Sequence, residues 1–97
     1  MKHVATYQIH QTFKITGRGI AFVGIVLEGK FIPGDYIRFD YDGQLIERRI
    51  KGIDPGMRVS DGKPNVGVMI DSINDQEIED LRNWNPNLTI GEIYSNR

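Results

Sequence analysis

Phe13-Lys-Ile-Thr-Gly17-Arg18-Gly19-Ile-Ala-Phe22-Val-Gly24-Ile-Val-Leu-Glu28-Gly29-Lys-Phe-Ile-Pro33-Gly34-Asp35-Tyr-Ile-Arg-Phe39 reads as strand, turn, strand, corner, strand. Residues 20–28 are apolar on both parities. Ile20, Phe22 and Val26 take one side; Ala21, Val23, Ile25 and Leu27 take the other. A strand of that kind needs cover on both faces. Gly24 in its middle predicts a bend or a close backbone approach. Gly17 and Gly19 predict a tight connection, with Arg18 held out at its tip. A dinucleotide fingerprint would need a third glycine where Phe22 stands, so a phosphate cradle of that type is excluded. Pro33-Gly34 predicts a type II turn.

The flanking chain keeps to period two. In residues 7–16, Tyr7, Ile9, Phe13 and Ile15 share one parity, interrupted only by Gln11, and Gln8, His10, Thr12, Lys14 and Thr16 share the other. This predicts a half-buried first strand with His10 on its wet face. Residues 36–41 form a third strand with Ile37, Phe39 and Tyr41 inward. Asp42-Gly43 predicts a two-residue hairpin. A fourth strand over residues 44–54 turns Ile46 and Ile50 inward. Its Arg48, Arg49 and Lys51 make the one basic cluster of the sequence. Residues 55–65 are rich in turn formers and predict a long loop. A fifth strand follows over 65–73. Asn74 then caps a short helix to residue 82, with Glu77 at the capping-box position. Trp84, the single tryptophan, sits in an Asn-rich loop and predicts a plug for the core or a partner anchor. A last strand is expected over 89–95. The fold class is therefore all-β: one domain over residues 1–97, a small closed six-stranded antiparallel barrel with one short helix, because closure removes exposed edges.

Composition narrows the chemistry. Twelve basic residues meet thirteen acidic ones, so any nucleic-acid contact rests on a local patch. There is no cysteine, hence no disulfide, thiol nucleophile or thiolate metal site. The amino end lacks a signal-peptide core, and no apolar run approaches a membrane span. A cytoplasmic protein that contacts neither membrane nor DNA is expected. No catalytic constellation, cofactor motif or metal motif emerges.

The quoted stretch resembles the second, β-barrel domain of translational GTPases of the elongation factor Tu type. Gly17-Arg18-Gly19, Val23-Gly24, Val26, Gly29 and Gly34-Asp35 fall in matching places, and Asn65-Val66-Gly67-Val68 is similar to the family's fifth strand. The resemblance implies a Greek-key barrel that does not catalyse but binds, touching the ribosome or transfer RNA. The chain departs from the family by lacking a phosphate loop and by Ile20 after the Gly-Arg-Gly turn. Two functional expectations result. The first is a non-catalytic binding module whose partner is a protein, RNA or a second copy, with Arg18, Arg48, Arg49, Lys51 and Trp84 as candidate contacts. On that reading the outer side of the apolar strand is covered by the chain's tail or by a homodimer. The second is a small-ligand or enzymatic barrel with a site at its mouth, drawing on His3, His10, Asp71, Asp75 or Tyr94.

Overall fold

The computed structural model describes residues 1–60 and 63–96. Six strands and one helix follow in the order β1 (Lys2–Ile15), β2 (Gly19–Gly29), β3 (Tyr36–Tyr41), β4 (Gln44–Ser60), β5 (Lys63–Ile70), α1 (Asp75–Arg82) and β6 (Thr89–Ser95). The strands close into a barrel in the order β1-β2-β5-β4-β3-β6, and every neighbouring pair is antiparallel. β3, β4 and β5 are joined in sequence, with β2 beside β5 and β6 beside β3. Two Greek keys therefore share those three strands.

The apolar strand explains the closure. Ile20 and Phe22 are fully buried inside, while Ala21 and Val23 are buried on the outer side. The outer cover fades along the strand: Ile25 is half-buried and Leu27 exposed. At Gly24, a β-carbon would lie 1.9 Å from the Gln8 carbonyl oxygen. Only glycine lets the two backbones approach this closely. Next to it, β1 carries an irregularity: Ile9 faces Gly24 but Gln11 faces Val23. The extra residue, His10, makes a bulge that shifts side-chain parity. Tyr7 and Ile9 are fully buried as expected, but Phe13, expected inside, is exposed. Thr12 turns toward the barrel instead, and its hydroxyl donates to the Leu81 carbonyl at 2.7 Å.

Two turns have the predicted chemistry. Asp42 and Gly43 both have positive φ, 54° and 85°, as a tight hairpin requires. Asp35 N–H donates to the Ile32 carbonyl at 3.1 Å across Pro33 and Gly34, whose φ is 102°. The loop expected over residues 55–65 is corrected. β4 runs on to Ser60 and β5 begins at Lys63, paired from Met57↔Asn65 to Ser60↔Lys63. Pro55-Gly56 produces register shifts rather than a break. Asp61 and Gly62, also within the expected loop, lie outside the described residues. β1 likewise starts earlier than its alternation indicated, because Lys2–Ile9 pairs with β6.

The helix plugs one end of the barrel. Asn74 is its cap, accepting from Glu77 N–H at 2.9 Å. Leu81 is fully buried in the core beside Phe22 and Phe39, with Ile78 and Trp84 packed against that cluster. At the opposite mouth, Tyr7 donates its hydroxyl to the Val66 carbonyl at 2.5 Å, and Phe31 packs edge-on against its ring. Burial pushes the Tyr7 phenol far above its ordinary range. The tail forms β6 between β1 and β3 and makes no ladder with β2. The fold-back cover expected for the apolar strand is therefore not a strand laid on it.

Candidate nucleic-acid interface

The β1–β2 turn is built from its glycines. Gly17 and Gly19 have φ of 77° and 91°, and Arg18 N–H donates to the Ile15 carbonyl at 2.9 Å. Arg18 is thereby pushed into solvent at the helix-plugged end of the barrel. Lys51 approaches from β4: a β-carbon on Gly19 would lie 3.6 Å from its Nζ and 3.8 Å from Ile78 of α1. The turn, β4 and the start of α1 enclose a groove of about 450 Å³, whose polar lining comes from Lys14, Arg18, Lys51, Asp71, Ser72 and Asp75. The Ser72 hydroxyl is buried and has no hydrogen-bond partner among the described residues.

The basic cluster divides by its partners. Arg48 shares the parity of Ile46 and Ile50 and grips Glu77 of α1 with two nitrogens. Nε donates to Oε1 at 2.7 Å, and Nη2 donates to Oε2. Nη1 donates to the Glu47 carbonyl at 2.7 Å. The side chains are 17% and 12% exposed, so this fork ties the helix to β4. The Arg48 hydrogen bond holds the Glu77 carboxyl below the usual carboxylate range, and the same contact raises the Arg48 guanidinium. Arg49 stands 3.5 Å from Asp71, with both side chains about half exposed. Lys14 pairs with Glu79 at 2.8 Å. Arg18 and Lys51 carry no ion pair among the described residues.

Trp84 is half-buried and lies 5.7 Å from Phe39 in a stacked arrangement, with Tyr41 and Phe22 edge-on at 5.3 and 6.4 Å. Three ring contacts fix it as part of the plug. Lys14 and Ser72 were not singled out by the sequence, since the strand bulge and the end of β5 that bring them to the groove leave no local signal. Of the groups considered for a catalytic mouth, Asp71 and Asp75 line the same groove, but no hydrogen bond joins them among the described residues. His10 bonds Gln8 at 2.9 Å, and His3 meets Glu92 and the edge of the Tyr94 ring. No group of three His, Asp or Glu side chains among the described residues is placed to hold a metal ion. No helix among them is long and apolar enough to cross a membrane.

Comparison with protein-family models, with curated proteins and with solved structures finds no match to this chain.

Proposed function

We propose that this barrel is a non-catalytic binding module of the translation-factor type, and that it engages RNA phosphates at the groove beside the Gly17-Arg18-Gly19 turn. The observation that carries this reading is the contrast between paired and unpaired cations. Arg48 is committed to Glu77 and Arg49 stands 3.5 Å from Asp71, whereas Arg18 and Lys51 line one groove without ion-pair partners among the described residues. A phosphate between them gains charge-assisted hydrogen bonds at little rearrangement cost. The acidic rim of Asp71 and Asp75 limits the affinity and disfavours deep entry, so a backbone phosphate is favoured over a multiply charged small anion. The resemblance of the turn to the elongation factor Tu barrel supports the choice of RNA.

The test is fluorescence anisotropy with a transfer RNA and a ribosomal-RNA fragment across a salt series. With two phosphate contacts the log–log slope is roughly −1.4 on a single strand, about 0.7 per contact. Arg18→Glu and Lys51→Glu abolish binding, while Arg49→Glu weakens it little. Salt-independent binding, or none to either RNA, overturns the proposal.

A further inference from the structure

The two ladders of β2 differ in length. Its pairing with β1 runs to Gly29, but its pairing with β5 ends at Gly24↔Val66. Beyond that point β5 stays with β4 as a two-stranded ribbon. The stretch Ile25–Gly29 therefore has one strand edge without a ladder partner among the described residues, and its residues pass from half-buried to exposed. Unused strand edges are commonly blunted by charge, proline or a covering element. Here the first three residues, Ile25, Val26 and Leu27, are apolar, and charge appears only at Glu28 and, past the strand, Lys30. Below the edge lies an apolar groove of about 410 Å³ at the barrel mouth, lined by Val26, Lys30, Phe31, Ile32, Ile53 and Val66.

We infer that this notch accepts an extended segment of another polypeptide, added antiparallel to β2 along Ile25–Gly29. Backbone amides and carbonyls of the edge then continue the ladder that β5 abandons. Alternate side chains of the guest point into the mouth groove, which selects apolar residues at every second position. Lys30, at the rim, has no ion pair among the described residues, so an acidic residue near that end of the guest is favoured. A second copy's own β2 does not fit this role. Ile53 and Val66 of the β4–β5 ribbon line the groove beside this edge, so a second copy's β2 would have to carry its own ribbon into the same space. The notch lies at the barrel end opposite the RNA groove, so failure of either proposal leaves the other intact.

The test is selection from a phage-displayed library of random linear peptides, followed by amide-shift mapping with the synthetic consensus peptide. The expected consensus alternates apolar residues, has no central proline and carries an acid. It shifts the amides of Ile25–Gly29 and Val66. Ile32→Asp removes binding, and Lys30→Glu weakens it several-fold, about threefold or more and most at low salt, as a charge at an interface rim does. Both changed side chains are exposed, and unchanged thermal unfolding shows that the fold is kept. A proline placed at the peptide's centre abolishes binding by removing a ladder donor. No enrichment overturns the inference, as do shifts confined to other faces. Concentration-dependent protection of the Ile25–Gly29 amides in the free protein, which would mean a second copy fills the edge, also overturns it.

Discussion

Single residues in this barrel carry consequences that composition does not hint at. Gly24 is the tightest point: with the Gln8 carbonyl oxygen 1.9 Å from where a β-carbon would stand, the backbone itself must move. Gly24→Ala is expected to cost more than about 3 kcal/mol, because the clash is with backbone rather than a flexible side chain. Loss of a cooperative urea transition, or a greatly lowered midpoint, is the measurement. Glu77 sets a pH dependence. Its folded carboxyl is held below the unfolded value by Arg48, so the stabilisation is complete above the unfolded pKa and is lost as pH falls through the folded one. Glu77→Gln should be less stable than the parent by about 2 kcal/mol near neutrality, the scale of a charge-assisted contact. That gap should shrink as pH falls below about 4, where the carboxyl of the unfolded chain takes up its proton first. Urea midpoints measured for both proteins across this range test it. Equal midpoints at neutral pH would show that the fork contributes nothing.

Among the elements, legibility followed from how local the cause was. β3, the Asp42-Gly43 hairpin and the Asn74 cap were readable because turn chemistry and side-chain period act over a few residues. The inversion of Phe13 and Thr12 was not, since a bulge opposite Gly24 is set by how β1 and β2 fit, and Gln11 on the apolar parity is its one mark in the sequence. The ribbon formed by β4 and β5 was hidden for a different reason: Pro55 and Gly56 mimic a break, and pairing across the hairpin overrides them. The basic cluster was visible as a cluster, but the division between Arg48, spent on Glu77, and Lys51, reaching over Gly19, depends on where α1 lands. That landing rests on Leu81. Leu81→Ala should cost about 2–5 kcal/mol, as a fully buried leucine does. It should also loosen the plug around Trp84, giving a red-shifted emission before global unfolding. An unchanged spectrum with unchanged stability would mean that the helix is not seated as described.

The barrel as a whole is closed by its most distant parts. β1 and β6 pair from Lys2↔Ser95 to Ile9↔Thr89, and β6 is also the only neighbour of β3 on that side. A chain cut after Asn87 thus loses two ladders at once and exposes the fully buried Tyr7, Ile9 and Ile37. It is expected to show no cooperative thermal transition by circular dichroism, and a two-state melt of that fragment would refute the account of closure. The same seam has a geometrical outcome. Lys2 and Ser95 lie face to face, so the polypeptide enters and leaves the cylinder at neighbouring points on one rim. Splicing this barrel into a surface loop of another protein would therefore hardly separate the strands on either side of the insertion.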